Sequence, residues 1–215
     1  GVVNLKGNIM LIDFDMLMKK YGIPRGIIHI GAHRLQERER YFKHGISNIV
    51  WIEANEKIFA QIQNKISKSE RIFNFLISDE DHKEYVFKIT NNEQSSSLLN
   101  LDKHKLYHPD VFVVDAKKLY SKKMSTLIIE EEIDSKQYNF LNLDIQGAEL
   151  LALRGFDEYV KDFDYIYTEI NADYLYENCC LVSEIDDYLS NFGFKRTETS
   201  MTPNQWGDGF YTKII

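Results

Sequence analysis

LNLDIQGAELLALRG, running from Leu141 to Gly155, passes from a strand pattern to a helix pattern across one turn. Tyr138 to Leu143 is a short, mostly apolar run of the kind buried between two layers of helices. Asp144 therefore emerges at the carboxyl end of a strand, the edge at which open α/β sheets bind ligands. Gly147 permits the tight turn, and Glu149, in the first turn of the helix, favours its positive end. Aspartate is also a preferred helix N-cap, so capping is the competing assignment for Asp144.

The same grammar appears upstream in GIIHIGAHRLQERERYFKHG. Gly26 to Ile30 form an apolar strand, Gly31 opens the turn, and Arg34 to His44 follow at helical spacing. A missing Cβ at Gly31 lets a ligand come close, with Ala32 beside it. Neither GxGxxG nor GxxxxGK[ST] is present, which disfavours a phosphate-anchored nucleotide. Asn48 to Ile52 (NIVWI) is the next buried strand. It ends on Glu53, about 20 residues beyond the glycine turn, where such folds place an acid to accept hydrogen bonds from ribose hydroxyls. A solvated acid at a strand end is the plainer reading of Glu53 alone.

IIHIGAH with Gln36-Glu37, NIVWIEAN, ISDEDHKEYVFKITNNEQSSSLL, FLNLDIQGAELLALRG, YTEIN and QWGDGFYTK together resemble the FkbM-type methyltransferases, a branch of the class I S-adenosylmethionine-dependent enzymes. The resemblance runs from about Gly26 to Lys213. It implies an α/β, Rossmann-like fold whose seven-stranded, mostly parallel sheet has an antiparallel last strand and helices on both faces. It also implies methyl transfer, usually to a hydroxyl and often on a sugar. The chain departs from the class I pattern at His29, where many relatives carry an acid, and at the single Gly31. It departs again at Gln146, where the family more often has Glu.

With 215 residues, 44% of them hydrophobic, and no linker rich in Pro, Gly or Ser, the chain has the makings of one sizeable core. A single methyltransferase domain is expected, with 1–24 as a helical extension and 25–215 as the catalytic core. A formal charge of −7 argues against nonspecific binding to nucleic acid or to anionic membrane. Lys117 to Lys123 read as a solvated strand edge. The adjacent Cys179 and Cys180 make neither a disulfide framework nor a thiolate zinc site credible. Without a long apolar run or a signal-peptide pattern, a cytoplasmic protein is the default. Gly1 in place of an initiating Met suggests an excised domain or an engineered start.

Elsewhere the spacing predicts helices at Ile12 to Tyr21, Lys57 to Ser67 and Val182 to Asn191, and a short one capped by Ser125. Further strands are expected at Arg71 to Ile77, Tyr85 to Thr90, Val111 to Val114, Tyr165 to Glu169, Phe194 to Thr199 and Gly209 to Ile214. Alternation of this kind means a parallel sheet between helices, and the direct loop between the last two strands allows an antiparallel pair.

The resemblance distributes the roles. Gly31 and Ala32 line the methionine end of S-adenosylmethionine, Glu53 takes the ribose with Asn55 assisting, and Ile77, Ser78 and Asp79 reach the adenine. Ser97, in a loop of lid length, lies near the cofactor or the acceptor. Methyl transfer requires an aligned oxygen and a group to remove its proton. Asp144 and Glu169, at neighbouring strand ends, are the candidate bases, with His33 the alternate and Asn171 orienting the acceptor. Trp206 stacks on a sugar ring while Asp208 bonds its hydroxyls; a core plug is the competing role for the indole. Asp144 and Glu169 have the chemistry for a divalent metal, but two carboxylates do not make a site and none is predicted. The expected partner is a small-molecule or glycan acceptor. The rival readings are a noncatalytic nucleotide-binding domain, a methyltransferase of RNA ribose and an NAD dehydrogenase. The last lacks the glycine-rich pyrophosphate loop.

Overall fold

Strand residues alternate between the two faces of a sheet, so a strand covered on both sides is largely apolar and any polar residue in it needs a partner. In the computed structural model, which describes residues 10–91, 112–173 and 180–214, three four-residue strands are buried at every position, and all of their residues except His29 and Asn142 are apolar. The order begins α1 (Phe14–Tyr21), β1 (Ile27–Ile30), α2 (Arg38–Lys43), β2 (Ile49–Ile52), α3 (Glu56–Ile62), β3 (Glu70–Phe73) and β4 (Leu76–Ile77). It continues with β5 (Glu84–Thr90), β6 (Val113–Lys122), α4 (Met124–Glu130), β7 (Phe140–Leu143) and α5 (Glu149–Gly155). It closes with β8 (Tyr165–Asn171), α6 (Val182–Ser190), β9 (Phe194–Met201) and β10 (Trp206–Lys213). The fully buried strands β1, β2 and β7 lie side by side at the centre.

The main sheet has seven strands in the order β3-β2-β1-β7-β8-β10-β9. β1 runs parallel to both β2 and β7, and β10 inserts antiparallel between β8 and β9. This is the α/β, Rossmann-like sheet with an antiparallel last strand that the resemblance implies. Ile28, Val50, Leu141 and Ile166 face one core with Leu127, Leu153 and Ile185 from α4, α5 and α6. Ile27, Trp51 and Phe140 face the other with Phe14, Tyr41 and Ile58 from α1, α2 and α3. A buried ion pair pins the outer edge of that second layer. The Arg38 guanidinium grips Glu70 at 2.8–3.2 Å, and Trp51 Nε1 donates to the same carboxylate at 2.9 Å.

Five local expectations need correction. α2 begins at Arg38 rather than Arg34, because His33 and Leu35 adopt positive φ of 48° and 62° and no helix passes through them. Arg71 to Ile77 is two strands in different sheets: Asn74 turns inward, donating to the Glu53 and Ala54 carbonyls at 2.9 and 3.2 Å, and β4 pairs with β6 instead. The strand expected at Val111 to Val114 instead runs from Val113 through Lys122 as β6, bonded to β5 along its length, and its exposed Lys117 and Lys118 are the expected solvated strand edge. Ser125 does not cap α4; Lys123 holds the N-cap position, and Ser125 Oγ donates to Asp157 at 2.7 Å. Trp206 and Asp208 stand in β10 itself, not in a loop before it. There Gly207 lets β10 lie against β9: a Cβ on it would come 2.1 Å from the Ser200 carbonyl oxygen.

Candidate active site

The turn after β1 is held by its neighbours rather than by a run of glycines. Gly31, at φ +93°, brings the backbone so close to the turn after β7 that a Cβ would sit 2.0 Å from the Asp144 carbonyl oxygen. The glycine thus makes room for another turn of the chain, where the sequence suggested room for a ligand. Two residues on, the His33 N–H donates to Glu53 Oε1 at 2.8 Å. Its ring reaches the other way, with Nε2 3.3 Å from Asp144 Oδ2 and 3.2 Å from the Asp144 carbonyl oxygen. Gln146 Nε2 donates to Asp144 Oδ1 at 3.0 Å. Asp144 therefore does not cap α5, whose N-cap is Ala148.

Two cavities open on either side of this turn, sharing the wall formed by Gly31, His33 and Asp144. One is an apolar cleft between Ile52, Ala54, Phe75, Ile77 and Ile145, with Glu53 as its acid. The Glu53 carboxylate is buried and already oriented, because Oε1 takes the His33 N–H and Oε2 the Asn55 N–H, the latter also at 2.8 Å. Each oxygen has two lone pairs, so one on each stays available to a ligand hydroxyl. Burial raises the Glu53 carboxyl above its usual range, against the opposing pull of His33.

The second cavity is polar. Glu37, Asp144, Glu169 and Asp208 line it together with His29 and Trp206. Burial pushes Asp208 up to about 7, although the Tyr167 hydroxyl and the Leu11 N–H at 2.8 Å both donate to it. Burial likewise raises Glu37 to about 7, against the Arg40 guanidinium 3.1 Å away. His29 is driven the other way by burial, down to about 3, and is neutral. Its Nδ1 lies 2.8 Å from the Tyr41 hydroxyl, which accepts from Asn142 Nδ2 at 2.8 Å. We assign the Tyr41 proton to the bond with Nδ1, leaving Nε2 as the protonated ring nitrogen. Burial alone would also depress His33, but Asp144, then Glu53, outweigh it and raise the imidazole to about 9.

Residues 29–196 match the Methyltransferase FkbM domain, which spans more than half of the chain. The chain belongs to that family. Among curated proteins none matches the sequence of this FkbM domain. Among solved structures it is similar to magnesium protoporphyrin IX methyltransferase from Synechocystis PCC 6803 with bound S-adenosylmethionine. The identity is 11%, 93% of this chain and 76% of that one are covered, and the TM-score is 0.50. It is also similar to 1,6-didemethyltoxoflavin-N1-methyltransferase from Burkholderia thailandensis, at 9% identity over 93% and 75% of the chains, with a TM-score of 0.46.

In this FkbM domain Gly31, Glu53 and Asp144 line the apolar cleft, whereas Ala32, Glu169, Trp206 and Asp208 line the polar cavity with Gly31 and Asp144. His33 borders both. Asn55 caps α3, accepting from the Lys57 and Ile58 amides at 3.0 and 3.2 Å. Ser78 is buried against Tyr85, its Oγ 3.1 Å from the Tyr85 hydroxyl and 3.2 Å from Asp79, and neither Ser78 nor Asp79 lines the cleft. Ile77, expected beside them, does line it, together with Phe75 and Leu76. Asn171 is fully buried on the face of β8 that also carries Tyr167 and Glu169. Ser97 lies outside the described residues. Sequence reasoning met Glu37 only within the motif that carries the resemblance and gave it no role, and it gave none to Asn142 or Tyr167, whose only signal was a polar group in an apolar strand.

The cleft fits S-adenosylmethionine: apolar walls suit a flat base, and a buried acid with spare lone pairs suits a ribose diol. Among the described residues no group of three or more His, Cys, Asp or Glu side chains is placed to hold a metal ion. Nor is any helix among them long and apolar enough to cross a membrane.

Proposed function

We propose that this domain is an O-methyltransferase acting on a hydroxyl of a sugar or glycan, with S-adenosylmethionine as donor. One observation carries the reading: an apolar, acid-ended cleft and a polar cavity share a single wall of three residues, so a donor in one and an acceptor in the other meet at Asp144. The donor supplies an electrophilic methyl group on a sulfonium, and the chain's own residues supply alignment and proton removal. Asp144 engages both carboxylate oxygens with His33 and Gln146 and so orients the wall. His33, protonated at neutral pH, has no lone pair with which to take a proton. Glu169, near the end of β8 beside the Asp144 end of β7 and lining the same cavity, is the group we assign to receive the hydroxyl proton. Trp206 and Asp208 in one wall offer an aromatic face and a hydroxyl acceptor, the pairing that a pyranose presents in reverse.

Calorimetric titration with S-adenosylmethionine and, separately, with NAD tests the donor, with Glu53→Ala as control. Binding of S-adenosylmethionine that Glu53→Ala abolishes is expected; its absence overturns the reading. Glu169→Gln should keep donor binding while lowering kcat on a glycan acceptor about 10²-fold or more. Methylation confined to acceptors without a sugar overturns the glycan assignment alone.

A further inference from the structure

Nine large hydrophobic side chains stand exposed among the described residues, and five of them, Val86, Phe112, Val113, Val114 and Tyr120, belong to one ribbon formed by β5 and β6. Val113 to Lys118 are exposed at six consecutive positions. β4 covers the far edge of β6 only at Ser121 and Lys122. Along the rest of that edge no described strand pairs with β6; the Ala116 N–H there donates to the neighbouring Asp115 Oδ1 at 2.8 Å, a local bond that strand pairing would replace. One face of the ribbon is anchored, with Phe87 buried and Tyr85, Ile89 and Leu119 packed beside it against Leu76 and Ala148, but the open edge of β6 is a template for another strand.

We propose that this edge is the interface of a symmetric dimer, in which β6 pairs antiparallel with β6 of a second copy about a two-fold axis at Ala116. The backbone sets the donors. Ser121 exchanges bonds with His82 and Lys83 on the β5 side, whereas the Lys122 carbonyl faces the opposite edge, accepting from Ser78. Alternation then turns the N–H and C=O groups of Ala116 and Lys118 outward. A two-fold axis perpendicular to the sheet requires opposing residue numbers of even sum. Centring on Ala116 opposes Asp115 to Lys117 of the copy, twice by symmetry, and lays the aliphatic stem of Lys118 beside Val114. Centring one residue later would set Lys117 against itself. The register shift in the β5–β6 pairing, between Asp115 and Val113, ends the regular stretch near Val114, so the interface is short and its charges specify it.

Sedimentation velocity of the whole chain tests this. The wild type should sediment at twice the monomer mass at high micromolar concentration. Asp115→Lys should weaken association about tenfold or more by opposing like charges, and Asp115→Lys combined with Lys117→Asp should restore it. Ala116→Cys should also give a disulfide-linked dimer on oxidation, because hydrogen-bonded antiparallel partners stand about 5.5 Å apart at Cα, within disulfide reach; Val86→Cys should not. A wild-type monomer, a dimer indifferent to Asp115→Lys, or equal cross-linking at both cysteines overturns the proposal.

Discussion

His33 Nε2 stands 3.3 Å from Asp144 Oδ2, tying the turn after β1 to the turn after β7 across 111 positions of sequence. Both residues are candidates for chemistry, but the pair is first a joint between strand ends. It fixes the wall that separates the two cavities.

That joint depends on pH. The His33 imidazole rises from 6.5 to about 9 on folding, so its contribution to stability is complete below pH 6.5 and is lost as the pH climbs through 9. The melting temperature of the wild type should fall relative to that of His33→Gln over this window. The differential is on the order of 2 kcal/mol. Parallel curves would show that the imidazole is not charged in the fold.

Asp208 works in the opposite sense. Its carboxyl is raised from 3.8 to about 7, so ionising it costs stability progressively as the pH rises between those values. Asp208→Asn should flatten that decline and melt higher than the wild type above pH 7. Thermal melts on either side of neutrality decide it.

Gly31→Ala should be poorly tolerated. The new methyl group meets the Asp144 carbonyl oxygen at 2.0 Å, and the backbone is held at φ +93°. A loss of about 2 kcal/mol or more is expected in denaturant unfolding, with weakened donor binding. A neutral effect would mean that the two turns separate easily.

Much of the lining of the two cavities was legible because short apolar strands announce where they end. Asp144, Glu53 and Gly31 follow directly from that reading. The far end of the cleft was legible only at Ile77: the resemblance put Ser78 and Asp79 beside it, yet Asn74 ends β3 early and presents Phe75 and Leu76 instead. The late start of α2 was hidden for another reason. His33 and Leu35 take left-handed backbone conformations that glycine would have signalled and these residues do not. Glu37, Tyr41, His29 and Asn142 meet only through sheet order, which one segment read alone cannot reveal.

Glu70 offers a test away from the site. Burial works against its charge, but Arg38, Ser67 and Trp51 hold the carboxyl below its ordinary 4.5. Its stabilisation is therefore present above pH 4.5 and lost as the pH falls through the lower folded value. Glu70→Gln should destabilise by about 2–4 kcal/mol near neutrality and by less in acid, as chemical denaturation at the two pH values would report.

The wall shared by the two cavities also bears on how such an enzyme diversifies. Only Gly31, His33 and Asp144 belong to both sides. With donor and acceptor placed as proposed, substitutions at Glu37, Trp206 or Asp208 would reshape the acceptor side without altering the seat of the donor. New specificities would then be within reach of single changes, while the three partition residues, serving two masters, would have little freedom to drift.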